Sequence, residues 1–302
     1  MTHQPLPAGL HPETLAVRQA QPRSHWGEHC EALFMTSSFV QPDCATAAAR
    51  FANPQEGFTY SRTGNPTVAS FEERLAAMEG TECAVATSTG MSAILLVALT
   101  ALKAGDHIVA SQSMFGSTMR LLGTEMARFG IESTFVPQTD AQAWAAAIRP
   151  NTKLLFAETP TNPLTDLCDI QALADIAHHH GALLVVDNSF ATPVLQRPVE
   201  FGADIVVHSG TKFLDGQGRI MIGAVCGTTA LVDKVMGTFL RSGGLNAASY
   251  NAWTAMKGLE TLALRVKAQS AAALELAAWL EDHPNVARVY YPGLQSHPQH
   301  AL

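Results

Sequence analysis

The chain has 302 residues, of which 47% are hydrophobic and 15% are charged, and its formal net charge is −7. This composition is typical of a water-soluble protein with one large domain and part of another. The acidic balance and the lack of a basic patch argue against a nucleic-acid partner. The first 25 residues contain no long apolar run, and no apolar stretch is long enough to cross a membrane. We therefore expect a cytoplasmic protein with no nucleic-acid or membrane partner.

The cysteines and histidines give no sign of a metal site. There are five cysteines and no C-x-x-C pair, which is typical of reduced thiols in a reducing compartment. Three consecutive histidines, at 178–180, end a predicted helix just before Gly181. Basic residues followed by glycine are a common helix stop signal, so we predict no metal ligands there.

The N-terminal part of the chain is predicted to contain a polar segment and two helices. Residues 1–25 are rich in Pro and His, and we expect them to be poorly ordered or to form an arm on a partner. A short Ala-rich helix is predicted at 45–51, and the loop 53–64 follows it. Pro66 suits the first turn of an amphipathic helix predicted at 67–78.

From residue 82 onward, predicted strands alternate with predicted helices. The strands are 82–87, 107–110, 132–136, 152–157, 182–187, 205–207 and 220–226. The helices are 93–102, 118–129, 141–148, 170–179 and 229–239. Apolar strands that alternate with helices indicate a mostly parallel sheet covered on both faces. The predicted fold class is therefore α/β, with a mostly parallel seven-stranded sheet between helices.

The C-terminal part is predicted to begin a second domain. One long helix, or two joined, is predicted at 250–279, and a strand at 286–291 would open an α/β domain that is incomplete at residue 302. The predicted boundaries are 1–62 for an N-terminal arm, 63–255 for the large domain and 256–302 for the start of the C-terminal domain.

Small and polar residues follow five of the predicted strands. These turns are 88–91, 113–116, 158–163, 187–190 and 208–212. Each of them has an ordinary structural explanation when taken alone. In open α/β sheets, however, ligands bind outside the carboxyl ends of the strands, so together the five turns predict one ligand site.

Two of these turns carry the residues that suggest a chemistry. Lys212 lies just past a buried strand, in a turn that contains hydroxyl-bearing residues, and an amine in this position is a candidate to form a Schiff base with a carbonyl cofactor. Asp187 ends the preceding strand and is a candidate partner for a pyridinium nitrogen. A solvated lysine and a turn aspartate are the alternatives. We predict a pyridoxal 5′-phosphate (PLP) enzyme.

The remaining candidates would hold the phosphate and the ring of such a cofactor. A strand, a small-residue turn and a buried helix form an anion site, to which Gly90 and Met91 would contribute backbone N–H groups. Arg62 and Tyr60 are candidates to reach a phosphate, with a surface ion pair and a core tyrosine as the alternatives. The Phe115 ring is a candidate to cover the pyridine ring, with core packing as the alternative.

Ser189 and two further hydroxyl groups complete the set. Ser189 lies two residues after Asp187 and would share its role or lie beneath the ring. Ser209 and Thr211 flank the turn that carries Lys212, and their hydroxyl groups would hydrogen-bond the phosphate or the turn itself. A capped turn is the alternative explanation for both.

At these residues the chain resembles the Cys/Met-metabolism family of fold-type-I PLP enzymes. That family includes cystathionine γ-synthase, cystathionine lyases, methionine γ-lyase and homoserine-ester sulfhydrylases. The matching stretches are YSRTGNPT at 60–67, STGMSA at 88–93, ETPTNP at 158–163, VVDNSFATP at 185–193, HSGTKF at 208–213 and NAWTAMKGLETL at 251–262. They occur in family order over nearly the whole chain.

The resemblance implies a role for each candidate. Lys212 would be the Schiff-base lysine, Asp187 the partner of the ring nitrogen, and Asn162 a contact of the ring hydroxyl. The cofactor phosphate would be held by Gly90, Met91, Ser209 and Thr211. The phosphate of the neighbouring subunit's cofactor would be held by Tyr60 and Arg62. Such enzymes are typically homotetramers built from dimers that share active sites.

Two features narrow the resemblance to one branch. Phe115 takes the place of the tyrosine that most members stack on the ring, and the loop FLDGQGR at 213–219 is similar to that of the O-succinylhomoserine sulfhydrylases. This implies γ-replacement in methionine biosynthesis, from O-succinylhomoserine and sulfide to homocysteine and succinate. Lys212 would then carry most of the proton transfers, because phenylalanine has no hydroxyl group.

Several alternatives stay open at this point. Cystathionine γ-synthase and γ-lyase activities belong to the same class of enzyme. The family's arginine for the substrate α-carboxylate lies beyond residue 302, so a non-catalytic remnant is a rival from a different class. A nicotinamide Rossmann enzyme is disfavoured because no G-x-G-x-x-G follows the first predicted strand.

Overall fold

The computed structural model describes residues 6–7, 9–53 and 56–302, apart from the side chain of Lys234. The strands are β1 Cys83–Thr87, β2 His107–Ser111, β3 Glu132–Val136, β4 Thr152–Glu158, β5 Leu183–Asp187, β6 Ile205–Ser209 and β7 Gly223–Gly227. The predicted N-terminal segment and the predicted loop at 53–64 fall partly outside the described residues.

The α-helices fall between and around these strands. They are α1 Pro12–Arg18, α2 Cys44–Ala52, α3 Pro66–Glu79, α4 Gly90–Ala101, α5 Gly116–Arg120, α6 Ala141–Ala146, α7 Ile170–His179, α8 Thr192–Leu195, α9 Thr238–Gly243, α10 Ser249–Leu259 and α11 Leu262–Glu281. Side chains cap several of them: Asn65 accepts a hydrogen bond from the Thr67 N–H at the start of α3, and Asp169 accepts one from the Ala172 N–H at the start of α7. Among the described residues, no helix has the length and apolar character needed to cross a bilayer.

The strands form a seven-stranded sheet in the order β1-β7-β6-β5-β4-β2-β3. The pairs β2–β3, β2–β4, β4–β5 and β5–β6 are parallel. The pair β1–β7 is antiparallel. The prediction of an α/β fold with a mostly parallel seven-stranded sheet is confirmed, and the antiparallel pair is the feature that the sequence did not indicate.

The chain divides into two compact units. One consists of the described residues of Met1–Leu96 together with Ser209–Glu260, and the other of Val97–His208 together with Thr261–Leu302. We call them unit 1 and unit 2. The chain passes from unit 2 to unit 1 within β6, between His208 and Ser209. The predicted domain boundaries at 62 and 255 stay a prediction.

Apolar side chains on strands and helices form the core of each unit. In unit 2, Trp144 of α6, Leu155 of β4, Leu173 of α7 and Val186 of β5 belong to one buried cluster. In unit 1, α3 packs against β1 and α10, and its Phe71 side chain is fully buried. Burial of such residues on both faces explains why the strands read as continuous apolar runs rather than alternating ones.

Three elements differ from the sequence prediction. The predicted helix 118–129 is the short α5 followed by a π-helical turn at Leu121–Glu125 and a 3₁₀ turn at Met126–Phe129. The predicted helix 229–239 is a π-helical segment, Thr229–Gly237, that leads into α9. The segment 250–279, predicted as one long helix or two joined, agrees with the second form, since it forms the two helices α10 and α11.

The third difference is the predicted strand at 286–291, and that prediction is wrong. The structure has no strand there, although Val286–Tyr291 lies wholly within the described residues. A strand is stabilised by hydrogen bonds to a neighbouring strand. None of the described strands pairs with the segment 286–291, and without a partner its apolar residues do not adopt a strand.

Candidate active site

The carboxyl ends of β2, β4 and β5 form one edge of the sheet in unit 2. These strands are parallel neighbours, so the turns that follow them lie at the same edge. Four predicted site residues follow these strands: Phe115, Asn162, Asp187 and Ser189. Unit 2 therefore collects the residues that were predicted to contact the ring of a cofactor.

Asp187 is the best-defined residue at this edge. Its Oδ1 accepts hydrogen bonds from the Ser189 N–H at 3.0 Å and from the Ser189 hydroxyl at 2.5 Å. Burial raises the pKa of Asp187 above its ordinary value, while the two Ser189 hydrogen bonds and the attraction of His208 lower it. A cationic ring nitrogen would relieve the cost of burying this carboxylate, which is the pairing that the sequence predicted.

Phe115 and Asn162 both present their side chains at the surface. The Phe115 side chain is 48% exposed and lies at the N-terminus of α5. The Asn162 side chain is exposed in the turn after β4. Both are therefore accessible to a ligand, as an aromatic ring stacked on the cofactor and an amide that contacts its ring hydroxyl must be.

Glu158 is a member of this edge that the sequence analysis did not single out. Its Oε2 accepts a hydrogen bond from the Phe115 N–H at 2.9 Å, and its Oε1 accepts one from the Asn162 N–H at 3.2 Å. Glu158 ends β4 in register with Asp187 at the end of β5. The signal that would have found it is the one that found Asp187, a carboxylate at the end of a buried strand.

The environment of Glu158 perturbs its ionisation. Burial, followed by repulsion from Asp187, raises the pKa of Glu158 to about 7, although its two backbone hydrogen bonds act in the opposite direction. A buried carboxylate, Glu158, and a half-buried one, Asp187, thus lie next to each other at this edge. Perturbed carboxylates at the ends of parallel strands are characteristic of functional sites.

In unit 1, the turn after β1 lies against Ser209. A Cβ atom placed on Gly90 would be 2.6 Å from the Ser209 Cβ and 2.8 Å from its Oγ, so only glycine allows this approach. Gly90 begins α4, a helix of 12 residues, and the first amides of a helix have no intrahelical acceptor. The N–H groups of Gly90 and Met91 and the hydroxyl of Ser209 together form a cradle suited to a phosphate.

The turn that carries Lys212 is held by its own backbone. The Lys212 N–H donates to the Ser209 carbonyl at 3.1 Å, and the Gly216 N–H donates to the Lys212 carbonyl at 2.8 Å. The Thr211 hydroxyl oxygen accepts a hydrogen bond from the Ile222 N–H at 3.3 Å. Because the turn is fixed while the Lys212 side chain is exposed, the amine is accessible for reaction with an aldehyde.

Tyr60 and Arg62 lie elsewhere on the surface of unit 1. The Arg62 guanidinium carbon is 5.4 Å from the centroid of the Tyr60 ring, and its Nη1 donates to the carbonyl of Arg241. Both side chains are exposed. Their predicted contact with the cofactor of a neighbouring subunit stays a prediction.

The residues present fit PLP part by part. The cradle of Gly90 and Ser209, which a side chain at residue 90 would fill, suits the phosphate. Asp187 suits the ring nitrogen, and the exposed Lys212 suits the aldehyde. The fold and this set of residues define a PLP-dependent enzyme of fold type I.

Comparison with known proteins identifies the family. The model for the family "Cys/Met metabolism PLP-dependent enzyme" matches residues 13–302. The chain is 56% identical over 290 residues to an O-succinylhomoserine sulfhydrylase of Pseudomonas aeruginosa, a match that covers 96% of this chain and 72% of that protein. It is 42% identical over 301 residues to an O-succinylhomoserine sulfhydrylase of Mycobacterium tuberculosis, a match that covers 100% of this chain and 74% of that protein.

A solved structure agrees with these matches. The crystal structure of metB from Corynebacterium glutamicum superposes with a TM-score of 0.91 at 34% identity, covering 97% of this chain and 74% of that one. The chain therefore belongs to the Cys/Met-metabolism family of PLP-dependent enzymes, and its cofactor is pyridoxal 5′-phosphate. The predicted resemblance and the predicted cofactor are confirmed.

Proposed function

We propose that the protein catalyses γ-replacement on O-succinylhomoserine, in which sulfide displaces succinate and homocysteine is formed. The observation that carries the reaction type is the exposed Lys212 amine on a fixed turn at the carboxyl end of β6. The choice of substrate is supported by the 56% identity to a relative that is named O-succinylhomoserine sulfhydrylase. The reaction is one step of methionine biosynthesis.

The cofactor and the chain divide the chemistry between them. When bound, PLP supplies an aldehyde that reacts with amines and a ring that withdraws electrons from the bonds at the substrate α-carbon. Lys212 would hold the cofactor through its Nζ when no substrate is bound. With substrate present, the Lys212 amine would take the proton from the substrate Cα and move a proton away from Cβ, so that succinate can leave with the electrons of the Cγ–O bond. Sulfide would then add at Cγ, and protons would return to Cβ and Cα.

We assign these transfers to Lys212 because Phe115, which would cover the cofactor ring, has no hydroxyl group. Phe115 would supply packing and exclude water rather than act as an acid or base. Asp187 would keep a proton on the ring nitrogen, which would preserve the electron-withdrawing power of the ring. Ser189 restrains the Asp187 carboxylate by donating two hydrogen bonds to its Oδ1.

The phosphate anchors the cofactor through a separate set of groups. We propose that it is bound by the N–H groups of Gly90 and Met91 and by the hydroxyls of Ser209 and Thr211. Tyr60 and Arg62 would bind the phosphate of the cofactor in a neighbouring subunit, because both side chains are exposed and Arg62 offers paired N–H donors. The protein would then be a homotetramer of dimers with shared sites. A cytoplasmic location is supported by its five free cysteines.

The proposal is tested by product analysis with three sets of substrates. The purified protein, loaded with PLP, is given O-succinylhomoserine with sulfide, O-succinylhomoserine with cysteine, or methionine alone. The expected result is fastest turnover in the first reaction, with homocysteine and succinate formed in equal amounts. Faster turnover with cysteine would identify a cystathionine γ-synthase, and breakdown of methionine a γ-lyase. A protein that takes up PLP and turns over none of these would be a non-catalytic binder.

A further inference from the structure

The carboxylate of Glu158 accepts hydrogen bonds from the backbone of two different turns. Glu158 is only 4% exposed, and each of its two oxygens accepts a backbone N–H from a different turn. The Phe115 N–H belongs to the turn after β2, and the Asn162 N–H to the turn after β4. Phe115 and Asn162 are also the residues whose exposed side chains would contact the cofactor ring.

The backbone of Glu158 is fixed from a third direction. Its carbonyl accepts a hydrogen bond at 2.6 Å from the Nε2 of Gln138, which follows β3. The same Nε2 lies 3.3 Å from the carbonyl of Asp166, at the far end of the turn that carries Asn162. Glu158 is therefore held in place itself while its carboxylate holds two other segments.

For a contact that is only structural, burying a carboxylate costs more free energy than burying a neutral group. Burying a charged group costs more than burying a neutral one unless every hydrogen bond is satisfied. What glutamate offers is two equivalent acceptors at a fixed angle, which can receive two N–H groups arriving from different turns. Glutamine of the same size has one acceptor and would set an N–H donor against one of the two backbone donors.

We propose that Glu158 is a positioning residue of the active site, which sets the Phe115 ring and the Asn162 amide against the cofactor by holding their backbones. It acts through these two residues and touches neither substrate nor cofactor. The inference rests on the proposed roles of Phe115 and Asn162. It goes beyond them because it assigns the placement of both to a single side chain.

The test compares Glu158→Gln and Glu158→Ala with a matched control. Glu200→Gln makes the same chemical change at an exposed glutamate of unit 2, whose ion pair with Arg197 lies at the surface. Amide hydrogen exchange is measured on the cofactor-free protein for peptides that contain Phe115 or Asn162. The dissociation constant of PLP and the circular dichroism of the bound cofactor are measured on the same samples.

The expected result follows from the number of acceptors that remain. Glu158→Gln should speed exchange in one of the two peptides and weaken PLP binding by about tenfold, which corresponds to one hydrogen bond to a charged acceptor. Glu158→Ala should speed exchange in both and weaken binding further. The circular dichroism of the bound cofactor should change in both variants, because the ring is no longer held at the same angle, and Glu200→Gln should match the wild type.

Two results would overturn the inference. Unchanged exchange at both peptides in Glu158→Gln would mean that the carboxylate does not hold these turns. Faster exchange with unchanged PLP affinity and circular dichroism would mean that its role is structural only. If Glu158→Ala does not fold, Glu158→Gln still decides between these results.

The same samples separate this inference from the proposed function. Borohydride reduction of the wild-type holoprotein, followed by peptide mapping, shows which lysine carries the cofactor. Attachment to a lysine other than 212, or the absence of homocysteine formation, would contradict the proposed function. The exchange, affinity and dichroism results for Glu158→Gln would still support or overturn the positioning role, because none of them requires turnover.

Discussion

The two units hold their candidate residues in different physical ways. At the sheet edge of unit 2, carboxylates accept the hydrogen bonds: Ser189 donates to Asp187, and the backbone N–H groups of Phe115 and Asn162 donate to Glu158. In unit 1, Gly90 lies so close to Ser209 that an added Cβ would be 2.6 Å from the Ser209 Cβ. The first arrangement depends on charge, and the second on the absence of a side chain at residue 90.

This difference determines which substitutions each region tolerates. At the sheet edge, a change of charge at constant size should impair function while leaving the packing intact. In the turn at Gly90, any added carbon should disturb the packing even though no charge changes. Substitutions at the sheet edge and at Gly90 should therefore differ in whether they act through charge or through packing.

The largest effect is expected for Lys212→Ala, which removes the amine that we propose binds the cofactor and carries the proton transfers. Activity should fall by about 10³-fold or more, as it does when a nucleophilic residue is removed from other enzymes. The visible absorbance of the bound cofactor should change, and borohydride should no longer fix PLP to the chain. Lys153→Ala, which alters an exposed lysine of β4, serves as the control. A variant that is still fixed by borohydride at the wild-type level would contradict the role of Lys212.

Asp187→Asn should be the next most damaging change. Turnover should fall by about 10²- to 10³-fold, the usual effect of removing an electrostatic partner from an active site. Because the carboxylate is buried and its pKa is raised, the neutral amide should not lower the melting temperature of the cofactor-free protein. Steady-state kinetics and thermal unfolding measure the two effects. A loss of stability equal to the loss of activity would place Asp187 with the structural residues instead.

The pH dependence of stability should reveal the charge buried in unit 2. The folded-state pKa of Glu158 is about 7, above the ordinary value of 4.5, so the folded state binds more protons than the unfolded state between these values. Stability should therefore fall as pH rises from 4.5 to 7, by about 3 kcal/mol for this group. Urea unfolding at several pH values measures it.

The control for this measurement is Glu158→Gln. Glu72 of unit 1, whose pKa burial raises to about 7, contributes over the same window in both proteins, so the difference between wild type and variant isolates Glu158. The variant should show a shallower fall between pH 4.5 and 7. Parallel curves for the two proteins would show that Glu158 ionises normally.

Gly90→Ala should act on affinity and stability rather than on charge. The added Cβ would lie 2.6 Å from the Ser209 Cβ, so the turn has to shift, at a cost of about 1–3 kcal/mol. We expect weaker PLP binding and a lower melting temperature. Gly116→Ala is the matched control, since a Cβ there has no atom within 4 Å. Equal behaviour of the two variants would remove the basis for the phosphate cradle.

The smallest effect is expected for Phe115→Tyr. The Phe115 ring is 48% exposed, so a hydroxyl group can be added without burying a polar atom. Turnover of O-succinylhomoserine with sulfide should change by less than about tenfold and stability by less than about 0.5 kcal/mol. Phe115→Ala, which removes the ring, should weaken PLP binding more. If the tyrosine variant is the worse of the two, the absence of a hydroxyl group is itself part of the mechanism.

Some elements of the fold were predictable from the sequence, and others were not. The helix Ile170–His179 and the strand Glu132–Val136 have the predicted bounds, because the signals for them are local: the spacing of apolar residues and, for the helix, the capping Asp169 directly before it. The strand predicted at 286–291 did not form, since pairing depends on a partner elsewhere in the chain. The antiparallel pairing of β1 with β7 was missed for the same reason.

The same distinction applies to the site. Asp187 and Lys212 were singled out from the sequence, because a charged residue at or just past the end of an apolar strand is a local signal. Glu158 carries a similar signal, yet its role depends on where the Phe115 and Asn162 N–H groups lie, 43 and 4 residues away. The periodicity of apolar residues thus determined most helices and strands, and the residue types at the strand ends indicated which chemistry is possible. Only the tertiary structure decided which backbone donors meet one buried carboxylate, because that contact requires distant segments to pack together.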